Sequence, residues 1–169
     1  MLTSLVGSEM CIRDSNHKPS AYFHKYALTK ATPLYPFGYG LSYTDFEYSK
    51  PTLSKPILNS NETVSVSVSV TNTGSYDGDE VVQMYIRDQI SSATRPVKEL
   101  KGYQRIFLKK GETKQVSFDI DKATLAFYDI DMNYCIEPGH FSIMVGSSSD
   151  KKDLKTTILT VNERMDVNE

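Results

Sequence analysis

The acids of this chain fall in small groups. Asp77, Asp79 and Glu80 lie together, Asp129 lies beside Asp131, and Asp88 and Glu99 flank a polar stretch. Two carboxyls can work as general acid and base when a fold holds them across a reacting bond. These groups sit in or beside turns and loops, where acids are solvated or cap backbone amides. No catalytic pair is expected among them. Cys11 and Cys135 lie far apart with neither a CxxC spacing nor a histidine beside them, and His17, His24 and His140 are equally scattered. No zinc site, disulfide framework or Ser/His/Asp order follows, so neither a metal nor a cofactor is expected. Gly38-Tyr39-Gly40 lacks the third glycine and the following helix of a dinucleotide loop.

The aromatic residues have more to offer. In the stretch Pro33-Leu34-Tyr35-Pro36-Phe37-Gly38-Tyr39-Gly40-Leu41-Ser42-Tyr43-Thr44, the glycines let the backbone turn sharply, and Phe37, Tyr39 and Tyr43 carry large apolar area. Tyr22, Phe23 and Tyr26 lie upstream. These rings fit either of two uses, a platform on which a sugar stacks or an apolar seam against a neighbouring domain. The absence of tryptophan weighs against the platform.

Composition bounds the remaining classes. At 169 residues the chain is the size of one domain, or of one domain with a linker. A net charge of −2 with both signs interspersed gives no field for nucleic acid or an anionic membrane. No apolar run approaches the roughly 20 residues of a bilayer span. Met1 to Ser15 has no basic start ahead of an apolar core and does not read as a secretory signal. Its end, Ser8-Glu9-Met10-Cys11-Ile12-Arg13-Asp14-Ser15, looks like a translated sequencing-adapter string, and native sequence is expected from about Asn16.

The elements that must position these residues are strands. Val64-Ser65-Val66-Ser67-Val68-Ser69-Val70 alternates strictly, with four valines on one face and hydroxyls on the other. Glu80 to Asp88 places Val82, Met84 and Ile86 on one face and Gln83, Tyr85 and Arg87 on the other. Further strands are read around Leu100–Leu108, Gln115–Ile120, Met132–Ile136, Phe141–Val145 and Thr156–Val161. Lys109 to Glu112 is read as a hairpin turn with Gly111 at positive φ, and Glu137-Pro138-Gly139-His140 as a type II turn. Asp121 to Leu125 has room for one helical turn, and nothing longer has helical periodicity. About seven short strands without crossover helices predict an all-β, two-sheet antiparallel sandwich of the fibronectin type III or immunoglobulin kind, behind an irregular N-terminal linker. Arg95 with Lys98 and Glu99 reads as a structural ion-pair set, which if exposed contributes only about 0–1 kcal/mol.

The string Pro36-Phe37-Gly38-Tyr39-Gly40-Leu41-Ser42-Tyr43-Thr44 resembles the junction by which family 3 glycoside hydrolases, the β-glucosidases and β-xylosidases, enter their C-terminal fibronectin type III-like domain. Four more pieces resemble that domain in the same order. They are Val70-Thr71-Asn72-Thr73-Gly74, Val81-Val82-Gln83-Met84-Tyr85, the run Arg95 to Tyr103, and Glu137-Pro138-Gly139 followed by Val145-Gly146-Ser147-Ser148. The resemblance covers about Asn16 to Val161 and implies a remnant of a preceding α/β domain and linker over 16–42, the sandwich over 43–162 and a tail over 163–169. It further implies that the Asp nucleophile and the Glu acid/base of a retaining enzyme, roughly 5–5.5 Å apart across the bond, lie in domains N-terminal to this segment. The chain is then expected to be non-catalytic, a stabilising accessory domain of a β-glucosidase-like parent acting in carbohydrate catabolism. A β-xylosidase parent and a carbohydrate-binding sandwich stay open as alternatives. The expected partners are the parent's catalytic domains, with β-linked oligosaccharide reached only through them. The parent is expected in the periplasm or outside the cell. Phe37, Tyr39 and Tyr43 become the candidate residues, for interdomain packing or for sugar contact.

Overall fold

The computed structural model describes residues 35–60, 62–93 and 95–167. The adapter-like segment, Tyr22, Phe23, Tyr26, Cys11, His17, His24 and the first part of the expected linker lie outside the described residues.

The alternating valines do what their spacing demands. In β4 (Val64–Asn72), Val64, Val66, Val68 and Val70 are buried while the serines between them are half-buried on the other face. β4 pairs antiparallel with β7 (Thr113–Ile120), so Val64, Val66 and Val68 lie opposite Ile120, Phe118 and Val116 on one inner face. On the outer face hydroxyls meet across the pair, Ser67 with Ser117 and Thr71 with Thr113, both at 2.8 Å. Along its other edge β4 carries β1 (Phe46–Tyr48) and β2 (Thr52–Leu53).

The second sheet has the order β3–β11–β10–β5–β6. Its members are β3 (Ile57–Leu58), β5 (Gly78–Asp88), β6 (Glu99–Leu108), β10 (Gly139–Gly146) and β11 (Leu154–Val161). Pairing is antiparallel apart from the two-residue β3–β11 contact, which is parallel. Val82, Met84, Ile86, Phe141, Ile143, Val145, Leu159 and Val161 point inward and close the core against the valines of β4. Each such side chain contributes about 1.5–3 kcal/mol through burial, which makes the two faces mutually necessary.

A small third sheet joins β8 (Phe127–Tyr128), β9 (Tyr134–Ile136) and β12 (Met165–Asp166). Ile136 and Met165 add to the core from it, so part of the stretch read as a tail is built into a sheet. The expected helical turn is α1 (Lys122–Leu125), with the Asp121 carboxylate accepting from the Thr124 amide at 2.8 Å. Gly111 takes φ +76° as expected, but Lys109 to Glu112 is not a hairpin turn, because it carries the chain from β6 in the second sheet to β7 in the first.

Glu137 to His140 is not a type II turn. Gly139 has no positive φ and already pairs with Val161 as the first residue of β10. The cause is topological, since β9 and β10 belong to different sheets and Glu137–Pro138 is a crossing between them rather than a hairpin.

Candidate functional site

The aromatic stretch does not hang free. Pro36 to Tyr39 closes a turn in which the Tyr39 amide donates to the Pro36 carbonyl at 3.1 Å, and Gly38 takes φ +78°, a position L side chains rarely adopt. The turn lies flat on the outer face of β5. The Gln83 amide nitrogen donates to the carbonyls of Gly38 (3.0 Å) and Ser147 (2.6 Å), and its oxygen accepts from the Tyr85 hydroxyl at 2.5 Å. The Ser149 amide donates to the Phe37 carbonyl at 2.8 Å, and the Lys98 ammonium donates to the Ser149 carbonyl. A Cβ on Gly38 would stand 2.0 Å from the Gln83 carboxamide oxygen, so glycine is required there twice over, by conformation and by contact.

This packing buries side chains on the outer face of β5. Gln83 and Tyr85 point away from the core, as the alternation predicts, yet both are buried. The strap itself removes them from water, and burial pushes the Tyr85 phenol well above its ordinary pKa.

A second anchor lies six residues on from Gly38. Thr44 is buried, and its hydroxyl donates to the Asn72 side-chain oxygen at 2.6 Å. That oxygen also accepts from the Gly74 amide, while the Asn72 nitrogen donates to the carbonyls of Tyr76 (2.7 Å) and Leu108 (3.2 Å). All four hydrogen-bonding positions of this buried amide are therefore used. The amides of Thr73 and Gly74 donate to the Asp45 carbonyl, and a Cβ on Gly74 would meet the Thr44 hydroxyl at 2.2 Å. From there the chain enters β1 and the first sheet. The strap thus begins on one sheet and ends on the other.

Between the anchors the apolar side chains turn outward. Tyr39 is 43% exposed, Leu41 88% and Tyr43 97%, whereas Phe37 is half-buried. Tyr35 packs against Tyr39 with ring centroids 5.1 Å apart. Under the arch, a groove of about 420 Å³ is lined by Phe37, Tyr39, Leu41, Val81, Leu100 and Tyr103 among others.

The carboxylates have structural partners. Asp77 accepts from the Lys110 amide, Asp79 pairs with Arg105, and Glu80 accepts from the Tyr48 hydroxyl at 2.5 Å. Burial raises the Glu80 pKa, and the Tyr48 hydrogen bond lowers it by less. Asp129 accepts from the amides of Asp131 and Asn133, both at 2.9 Å, and from Arg164 at 2.8 Å. These donors, the Asn133 amide foremost, hold its carboxyl at about 2. Among the described residues no group of three or more His, Cys, Asp and Glu is placed to hold a metal ion, and no helix is long and apolar enough to cross a membrane.

Arg95 departs from the sequence reading. Its guanidinium pairs with Asp88 at 3.0 Å and Glu99 at 3.4 Å, and lies 4.6 Å over the Phe127 ring. The Arg95 and Asp88 side chains are only 10% and 1% exposed, so this is an enclosed pair, and its principal partner is one the sequence reading did not connect to it.

A family profile described as a fibronectin type III-like domain matches residues 80–149. A β-xylosidase from Formosa agariphila is 52% identical over 137 residues, which is 81% of this chain and 19% of that protein. A periplasmic β-glucosidase from Salmonella typhimurium is 49% identical over 78% of this chain and 17% of its own length. Among solved structures, a β-glucosidase from Erythrobacter marinus superposes with a TM-score of 0.77 at 42% identity, over 85% of this chain and 19% of that one. The chain belongs to the C-terminal fibronectin type III-like domains of family 3 glycoside hydrolases. It spans about a fifth of the length of the curated relatives it matches.

Within this family domain, the strings that carried the resemblance meet in space. Gln83, Ser147 and Lys98 come from three of them: Gln83 holds the strap at Gly38 and is itself held by Ser147, and Lys98 acts at Phe37 through Ser149; Asn72 and Gly74 come from a fourth and hold it at Thr44 and Asp45. Alternation marked Gln83 only as an outward side chain. A glutamine among strand apolars, two residues before a tyrosine, was the available signal.

Proposed function

We propose that this chain is the non-catalytic accessory domain of a β-glucosidase-like family 3 enzyme and that it braces the catalytic domains through its strap. One observation carries the reading. A loop bonded to both sheets turns its apolar side chains outward, Leu41 and Tyr43 almost completely. Apolar area presented on a fixed support marks an interaction surface. The relatives extend far beyond the match, and the described residues run from Tyr35 directly into this arch. The proposed unit is the sandwich over 43–162 with the linker over 16–42 ahead of it. The parent would hydrolyse β-glucosides, or β-xylosides given the Formosa relative, in the periplasm or outside the cell.

The purified chain is expected to release no nitrophenol from aryl β-glucoside or β-xyloside above buffer. Turnover that disappears when one of its own carboxylates, Glu80 or Asp88, is changed to the amide would overturn the reading. The groove beside Tyr39 and Tyr103 favours one rival, a carbohydrate-binding sandwich. That rival predicts retardation in gels containing xylan or β-glucan, lost in Tyr39→Ala. We expect no retardation.

A further inference from the structure

Gln83 sits where three separate parts of the chain meet: the strap at Gly38, the β10–β11 connection at Ser147, and Tyr85 on its own strand. Both hydrogens of its amide nitrogen are directed at carbonyls, and its oxygen takes the Tyr85 hydroxyl. At the other end Asn72 is equally saturated. Only residues 39–43 lie between the anchors. Of these, Tyr39 bonds back to Pro36, and the Ser42 hydroxyl accepts from the Thr44 amide at 3.3 Å. Among the described residues Gly40, Leu41 and Tyr43 make no hydrogen bond, so the arch takes its position from the two anchors.

We propose that Gln83 is the positioning residue of a rigid, preformed docking loop, so that residues 36–44 hold Tyr39, Leu41 and Tyr43 in a fixed arrangement for an apolar surface of the polypeptide that precedes them. The partner in this statement rests on the bracing role argued above. The rigidity and its cause belong to this chain alone. A loop ordered before contact loses less conformational freedom on docking, and a brace needs that property whereas a tether does not. Glutamine is suited to the position because two carbonyls face it. Glutamate has the same shape but would turn an acceptor toward the Gly38 and Ser147 carbonyls.

Amide ¹⁵N relaxation and hydrogen exchange on the full 169-residue chain test this. The native chain should give order parameters of about 0.85 at residues 37–40, as in the strands, and Gln83→Glu should lower them below about 0.6. The same change should speed exchange of the Ser149 amide at least about tenfold, while residues 44–48, held by Asn72, stay as they were. The Tyr85 phenol, sealed by the strap, should become accessible and titrate closer to the ordinary tyrosine range. Should Gln83→Glu fail to fold, Gly38→Ala attacks the same contact from the strap side and should give the same pattern. A native strap already below about 0.6, or variants that leave residues 37–40 and Ser149 unchanged, would overturn the proposal. If the strap loosens as expected but removing its outward side chains leaves a full-length parent unaffected, the latch stands and the bracing role falls.

Discussion

Arg95→Met is expected to lower the stability of the chain at neutral pH by about 3–5 kcal/mol, the usual cost of stripping one partner from an enclosed ion pair. Methionine keeps most of the volume over Phe127 but leaves the Asp88 carboxylate, 1% exposed, without its counterion. Burial already holds the Asp88 carboxyl above its ordinary pKa, against the lowering pull of Arg95, and Glu137 adds to the rise. A carboxyl raised in the folded state favours folding in its protonated form, so its contribution falls as pH climbs through the folded pKa. Removing Arg95 raises that pKa further. The loss in Arg95→Met should therefore be largest at neutral pH, shrink as pH falls through the raised folded pKa of Asp88, and be smallest below about pH 4, where Asp88 is protonated in folded and unfolded chains alike. Urea unfolding of both proteins at the two pH values measures this. The Arg105–Asp79 pair, with side chains 70% and 43% exposed, is the control, and Arg105→Met should stay within about 0–1 kcal/mol. A pH-independent loss of that small size in Arg95→Met would show that the pair is solvated after all.

Phe141→Ala should cost about 3–5 kcal/mol, because the ring is fully enclosed in the core between the sheets and its removal leaves a cavity there. The same change at Phe37 should cost far less in this chain, within about 1 kcal/mol, because the ring is half-buried on the outside of the second sheet. Denaturant unfolding of the two variants side by side gives the ratio. Equal losses would place Phe37 in the sandwich's own core and remove it from the proposed interface.

The sandwich was legible because burial imposes period two on strands. The valines of β4 and the alternation in β7, β10 and β11 define their inner faces without further information. The short pairings β1, β2, β3, β8 and β12 were not legible, since two or three residues carry no period and their positions depend on which edge is open. The site was half legible. Phe37, Tyr39 and Tyr43 stood out by type, and the glycines between them by their freedom to turn. Gln83, Tyr85 and Asn72 did not, because what makes them matter is contact over 28 to 64 positions of sequence. Alternation assigns a face to such residues but cannot say that a distant segment will cover it. The Asp88–Arg95 pair was missed for a related reason, since its enclosure comes from the Leu125 carbonyl at the end of α1 and from Phe127 in the third sheet.

On the proposed bracing role, the outward side chains of the strap are buried against catalytic domains in the parent. This role is tested most directly by replacing the counterparts of Tyr39, Leu41 and Tyr43 with serine in a full-length family 3 β-glucosidase carrying the same strap. The same three changes are made in this chain, and both are unfolded in denaturant. Burial of such side chains is worth about 1.5–3 kcal/mol each, so the parent should lose several kcal/mol. In this chain the substitutions fall on exposed positions and should stay within about 0.5 kcal/mol apiece. A parent that loses nothing, or losses of equal size in both proteins, would show that the strap braces no neighbouring domain.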